Sequence, residues 1–260
     1  MRQQDWLTQQ RIGLEHLLKQ IKSELANTTQ QIEAFLNLQS ILSGRFELPP
    51  MHGWPISPDF ALLFVRRILD THYDLIVEFG SGTSTVLIAH ALNNKTNEPH
   101  GKTVFLAFEH LQSYFEQTQK NLEQRKLANT VNLIYTPLKP YVAASGAHYP
   151  YYSCHESLNE IAKSMHPGSR ILVLVDGPPS STGKHARWPA LEIITNVFNG
   201  VQIDFLLDDF IREDEQQVVI SWEKIALQKN WSFSTTRYRL EKDAYLMQLQ
   251  MPVSSAQLNN

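Results

Sequence analysis

The stretch that most limits what this chain can fold into is residues 75–85, LIVEFGSGTST. Leu75 to Val77 is an apolar run, the pattern of a parallel strand buried on both faces. Glu78 follows, then Gly80-Ser81-Gly82, two glycines spaced GxG. Ser84 and Thr85 are residue types that cap helices, and Val86 to Leu92 reads as the helix. Strand, glycine-rich turn and helix in that order set free backbone N–H groups at one end of a sheet. Glycine lets the backbone come close to a ligand there. An acid at the strand tip can pair with an ammonium or bind hydroxyls.

The turn alone is a weak signal. The third glycine of the dinucleotide fingerprint GxGxxG is missing, because position 85 is Thr. A second acid strengthens the reading. VFLAFE, residues 104–109, is another apolar strand ending in Glu109, placed to bind the two hydroxyls of a ribose. On EFGSGTST followed by FLAFEH, the chain resembles the class I S-adenosylmethionine-dependent methyltransferases, from about Pro49 to Pro252. The resemblance implies an α/β, Rossmann-like, seven-stranded sheet and S-adenosyl-L-methionine as cofactor. It sets the GxG turn against the methionine moiety and the second-strand acid on the ribose. The cofactor-binding set is then Glu78, Gly80, Ser81, Gly82, Ser84, Thr85, Glu109, His110 and Asp176.

The remaining segments suit that architecture. Helices are predicted over 58–70, 111–127, 156–165, 189–199 and 213–229. Strands are predicted over 131–135, 171–176 and 201–207, and 231–240 with 244–251 reads as a closing hairpin. Residues 136–155, rich in Tyr, read as a long loop of the kind that tends to be functional. Ser57-Pro58 is a helix start, with Ser as N-cap and Pro at the first position.

Ahead of this domain, residues 1–43 are helical in pattern. Leu14, Leu18, Ile21, Leu25, Thr28, Ile32, Phe35 and Leu42 follow steps of four and three, with Gln39 interrupting, which is an a/d heptad seam. It predicts self-association through residues 14–42; the competing reading folds one amphipathic helix back on its own domain. Gly44 ends the helix, and residues 44–57 form a linker and cofactor lid in which His52 and Trp54 would line the pocket. The methyltransferase domain is expected over 58–252, with 253–260 a tail.

Acids stand at five strand ends: Glu78, Glu109, Asp176, Asp208 and Asp209. Such an array at one sheet edge implies ligands or a metal, because unpaired buried carboxylates are costly. Asp176 with Asp208-Asp209 is similar to the acid set of catechol-type O-methyltransferases, which holds a divalent cation; Asp209 stands where that family commonly has Asn. Oxygen-only ligands suit Mg²⁺ or Mn²⁺. VDGPP, then Arg187, then DDFIRE resembles the glucuronoxylan 4-O-methyltransferase-like group and bacterial polysaccharide methyltransferases, which implies a carbohydrate hydroxyl as acceptor. Such a hydroxyl needs a general base, a metal or both. Asp176 is the first candidate for base, with His185 or His155 on flanking loops as alternatives. Lys184, His185 and Arg187 would orient an acidic or phosphorylated sugar, Arg187 being suited to a bidentate contact.

Composition excludes several classes. Net charge is −3 with no basic stripe, which argues against nucleic acid. No apolar run approaches the roughly 20 residues of a membrane span. Cys154 is the single cysteine, which suits a reducing, cytoplasmic setting. Two other readings compete: a nicotinamide-dependent oxidoreductase, which wants the third glycine, and a non-catalytic coiled-coil scaffold on a cofactor-binding fold.

Overall fold

The chain is described by a computed structural model covering residues 2–42, 47–49, 51, 56–95 and 101–252. The expected lid residues His52 and Trp54, the helix stop Gly44 and the tail 253–260 lie outside the described residues. In chain order the elements are α1 (Arg2–Leu42), α2 (Pro58–Asp70), β1 (Leu75–Phe79), α3 (Thr83–Asn94), β2 (Val104–Glu109), α4 (Gln112–Gln124), β3 (Asn132–Tyr135), β4 (Leu138–Val142), β5 (His148–Tyr152), α5 (His155–Ala162), β6 (Arg170–Val175), α6 (Pro189–Val197), β7 (Gln202–Leu207), α7 (Glu213–Gln228), β8 (Ser232–Tyr238) and β9 (Ala244–Gln250).

Seven strands form one sheet in the order β3-β2-β1-β6-β7-β9-β8. β3, β2, β1, β6 and β7 are parallel, and the β8–β9 hairpin adds antiparallel to β7. The chain runs outward from β1 to one side and returns to lay β6 on the other, so the order reverses between β1 and β6. Open sheets of this kind bind ligands at that switch, beyond the carboxyl ends of the strands. The five residues of β1 are all buried, as their apolar run requires. Alternation then divides them. Leu75, Val77 and Phe79 pack with α5, α6 and α7; Ile76 packs with α2 and α3.

The long loop expected over 136–155 is instead a two-stranded antiparallel sheet, β4 with β5. Pro140 faces Pro150 across it. Proline normally demotes a strand, but here the ladder is short and stands apart from the main sheet, so the lost N–H donors cost little. The hairpin folds onto the face of the sheet that carries Phe79, burying Tyr151 and Tyr152.

α1 divides into two parts. Ala34, Leu38 and Leu42, spaced four apart, are buried on the domain. Leu42 therefore belongs to this docked stripe and not to the exposed seam, and Leu38, which the heptad reading skipped, is fully buried. Asp59 pins the attachment. Its Oδ2 accepts from Gln30 Nε2 at 3.0 Å, Gln31 Nε2 at 2.8 Å and the Glu241 backbone N at 2.9 Å. Its Oδ1 accepts from the Ser57 hydroxyl at 2.6 Å, so Ser57 stands at the N-cap of α2 but donates to Asp59 instead of capping the helix. Upstream, every side chain from Gln9 to Ala26 is exposed.

Candidate active site

Register sets the four central strand tips level. Phe79 pairs with Phe108 and with Val175, and Val175 pairs with Leu207. Gly80, Glu109, Asp176 and Asp208, one residue further on in each strand, therefore stand in a row. Backbone bonds fix the row: Gly80 N donates to Phe108 O at 3.0 Å, Asp176 N to Phe79 O at 3.1 Å and Asp208 N to Val175 O at 3.2 Å.

Two glycine backbones meet in its middle. Gly80 has φ of +96°, which L side chains rarely adopt, and a Cβ there would stand 3.3 Å from Gly177 N. A Cβ on Gly177 would collide with the Tyr152 hydroxyl and stand 3.2 Å from Gly80 Cα. The two glycines thus leave the row bare.

α3 begins at Thr83, three residues before the expected Val86, with Gly82 as its N-cap. The Gly82 N–H donates to Thr85 Oγ1 at 3.0 Å, and the Thr85 hydroxyl donates to Glu78 Oε2 at 2.6 Å. Thr85 thus ties the turn to the first acid. Glu78 is fully buried and its Oε1 has no partner. Burial pushes its carboxyl up to about 8, against hydrogen bonds from Ser84 and Thr85 that pull the other way.

Glu109 has the opposite character. Burial would raise its carboxyl, but hydrogen bonds from His110, Leu111 and Ser81 prevail and hold it below its ordinary value. Oε2 accepts from Ser81 N at 3.0 Å and Ser81 Oγ at 3.1 Å; Oε1 accepts from the backbone N–H of His110 and of Leu111, each at 2.8 Å. His110 Nδ1 lies 3.2 Å from Oε1. The structure thus joins Glu78, Gly80, Ser81, Gly82, Thr85, Glu109 and His110 around one turn.

At the other end of the row stand Asp176, Asp208 and Asp209, each with an oxygen within 4.8 Å of the others. Arg187 lies among them, 3 % exposed. Its Nη1 donates to Asp208 O at 2.8 Å; its Nη2 donates to Asp176 O and to Asp209 Oδ2, both at 2.8 Å. Its Nε is 3.6 Å from Glu215 Oε1. Arg212 adds a second guanidinium, 2.9 Å from Asp209 Oδ2. This corrects the expected role of Arg187. Its Nη1 and Nη2 are taken up by these groups, so it neutralises the acids and ties β6, β7 and α7 together instead of standing free for an acceptor. Asp176 is the most open member, 30 % exposed, and is pushed up to about 6 by burial and Asp209, with Arg187 opposing. Asp208 is buried, its Oδ1 has no partner, and burial with its two like neighbours raises it well above the carboxylate range. Three hard oxygens with one orphaned atom suit a Mg²⁺ or Mn²⁺ ion, although the two guanidiniums already neutralise Asp209.

The histidines do not join this group. His185 has φ of +55°, its backbone N donates to Asp214 Oδ2 at 2.8 Å, and its Nε2 lies 3.6 Å from Asp214 Oδ1. Among the described residues no hydrogen bond or ion pair links it to Asp176. His155 is exposed at the start of α5 and stacks on Tyr141.

Sequence reasoning missed Tyr152. Its ring stacks on Phe79 with centroids 5.6 Å apart and stands edge-on to His110. Its buried hydroxyl has no partner and feels the charges of Glu109, Asp176 and Glu78. Only a hairpin where a loop was expected carries it there; the Tyr-rich composition was the one available signal.

No protein-family model matches this chain, and no curated protein matches it in sequence. Among solved structures, the chain is similar to the O-methyltransferase TomG from Streptomyces achromogenes, involved in tomaymycin synthesis and solved with S-adenosylmethionine: TM-score 0.50, 14% identity, 84% of this chain and 90% of that one. An O-methyltransferase from Bacillus cereus in complex with S-adenosylhomocysteine gives 0.46 at 16% identity, over 85% and 90% of the two chains. The methyltransferase domain of METTL16 gives 0.49 at 11% identity, over 85% and 78%. The likeness to TomG shows the fold, the Rossmann-like sheet found in methyltransferases.

Proposed function

We propose that this chain is an S-adenosylmethionine-dependent O-methyltransferase whose acceptor is a carbohydrate hydroxyl. The observation that carries the reading is the level row of Gly80, Glu109 and Asp176 at the switch point of the sheet, with Glu78 buried just behind it in β1. The residues present fit the donor: an ionised acid clasped beside the turn, a buried acid with a free oxygen, and two glycines leaving room between them. Glu109 would accept from the ribose hydroxyls. Glu78 would pair with the ammonium of the methionine part, and the unpartnered Tyr152 hydroxyl would donate to the same ligand. When bound, the donor would supply a methyl group on a sulfonium, transferred to the acceptor oxygen with loss of the C–S bond.

Asp176 takes the acceptor's proton in this reading. Held at about 6, it stays ionised at neutral pH and is a stronger base than an ordinary Asp. The row would align acceptor and donor, and alignment alone can be worth roughly 7–11 kcal/mol. The carbohydrate class rests on the resemblance of VDGPP, Arg187 and DDFIRE; Arg187 itself is spent on the acids, so an acidic sugar would have to be met by Lys184, His185 or both. A second reading is favoured by the orphaned Asp208 Oδ1. There Asp176, Asp208 and Asp209 would hold Mg²⁺ or Mn²⁺, whose charge would lower the pKa of the acceptor hydroxyl. The test is transfer of labelled methyl to a panel of glycans with and without EDTA. Turnover that survives EDTA supports Asp176 as simple base, and loss restored by Mg²⁺ supports the ion. Transfer to a catechol or a protein side chain but to no glycan would overturn the acceptor class.

A further inference from the structure

α1 carries two apolar stripes, and only one of them is used. Ala34, Leu38 and Leu42 dock on the domain and are buried. Leu14, Leu18, Ile21, Leu25, Ile32 and Phe35 form the other, and they are 37–62% exposed. At 3.6 residues per turn, the second stripe lies about a third of a turn round the helix from the first. Docking the helix therefore leaves Leu14 to Ile32 clear of the domain, while Phe35, the least exposed of them, borders the docked face.

We infer that this seam is the pairing surface for a second copy of the chain, which assembles through α1 as a coiled coil. Four observations carry the inference. First, from Gln9 to Ala26 the helix is exposed on all sides over about 27 Å. A helix of that length is marginal in water unless an apolar face is packed. Gly13 lies within it and weakens it further. Second, the seam repeats in steps of four and three, the period at which two like helices keep one face in contact through a supercoil.

Third, the polar interruption costs a partner nothing. The Thr28 hydroxyl donates to Glu24 O at 2.8 Å on its own helix, so what it offers the seam is its methyl group. Fourth, the exposed helix is self-compatible in charge. Between residues 9 and 33, Arg11, Lys19 and Lys22 are matched in number by Glu15, Glu24 and Glu33. Two copies therefore meet without net repulsion, and a basic face for an anionic membrane is absent from this stretch. The attachment through Asp59, Leu38 and Leu42 holds the helix base on the domain, so pairing would bring two domains together.

This inference does not depend on the proposed reaction, and its test does not use activity. Light scattering on the full chain at 50 µM or so, and after tenfold dilution, should give twice the chain mass or a higher multiple. Leu18→Glu with Leu25→Glu should give a monomer with unchanged unfolding temperature of the domain, because both side chains are exposed in the single chain, away from the docked stripe. A cysteine series adds register. Cys154 is fully buried, so single Leu14→Cys, Leu25→Cys and Phe35→Cys chains have no competing exposed thiol. Self-cross-linking of Leu14→Cys and of Phe35→Cys means parallel pairing, whereas cross-linking only between Leu14→Cys and Phe35→Cys, with Leu25→Cys near the midpoint linking to itself in either case, means antiparallel pairing. A full-length monomer at that concentration overturns the inference, as does an oligomer that survives the double Glu substitution. A monomer that instead binds anionic lipid vesicles through α1 overturns it in favour of a membrane surface.

Discussion

If the ammonium of the donor pairs with Glu78, as proposed, donor binding should release a proton. The Glu78 carboxyl is buried, has one oxygen without a partner among the described residues and is pushed up to about 8 by burial. At pH 7 it is then about nine-tenths protonated, by one unit of difference. An ammonium placed against it would make the charged form the stable one, so the proton must leave as the ligand binds. The linkage has a definite sign and size. Between pH 6 and 7, affinity for S-adenosylhomocysteine should rise about tenfold, one unit being worth 1.36 kcal/mol. The rise should flatten toward pH 8, where Glu78 is half ionised and a free α-amino group begins to lose its own proton. Calorimetry at pH 7 in buffers of different ionisation enthalpy should report nearly one proton released per ligand. Glu78→Gln should abolish both the release and the slope. Stability follows the same group. A raised carboxyl binds more protons folded than unfolded, so the empty chain should lose stability as pH rises from about 4.5 to about 8, and Glu78→Gln should reduce that loss. No proton release in wild type, with affinity flat between pH 6 and 7, would refute the placement of the ammonium at Glu78.

Three further outcomes are expected. Arg187→Met leaves Asp176, Asp209 and Glu215 facing one another with the charges of Arg212 and Lys242 in its place, and should cost about 3–5 kcal/mol by urea unfolding at pH 7.5; the deficit should shrink toward pH 5 as the acids take up protons, and a loss under about 1 kcal/mol would show that the acids do not depend on it. Tyr152→Phe removes a buried hydroxyl that the empty chain does not bond, so the unfolding temperature should hold or rise while donor affinity falls about two- to tenfold, the range for one hydrogen bond; a fall in stability with unchanged affinity would give the hydroxyl a purely structural role. At saturating donor, kcat should rise through pH about 6 as Asp176 ionises, and Asp176→Asn should abolish turnover while still binding S-adenosylhomocysteine; a profile flat from pH 5 to 7 would remove Asp176 as base.

The strand tips were legible because strands buried on both faces leave little choice of residue. LIVEF, VFLAFE and RILVLV read as apolar runs, and an acid at or beside the end of each marks where the chain leaves the sheet. That these tips stand level depends on register between distant segments, yet parallel topology made it a fair expectation. The hairpin of β4 and β5 was hidden by Pro140 and Pro150, which argue against strands unless the pairing is known. Tyr152 was lost with it. Arg187 was misread for a different reason: a guanidinium suits a substrate carboxylate and a protein carboxylate equally, and only burial tells them apart. In α1 the residues from Leu14 to Phe35 stand exposed, but Leu42 was assigned to the wrong stripe, because its partners belong to the domain and not to its own helix.

The claim on which the rest depends is that Glu109 holds the ribose of an S-adenosyl ligand. Its direct measurement is calorimetric titration of S-adenosylhomocysteine into wild type and Glu109→Ala, with NAD⁺ as the contrasting ligand. Wild type should bind S-adenosylhomocysteine at one site per chain and ignore NAD⁺, and Glu109→Ala should bind more weakly by about 1.5–3 kcal/mol, the range for hydrogen bonds to a charged group. Equal affinity in the two proteins, or saturable binding of NAD⁺ in place of S-adenosylhomocysteine, would contradict it.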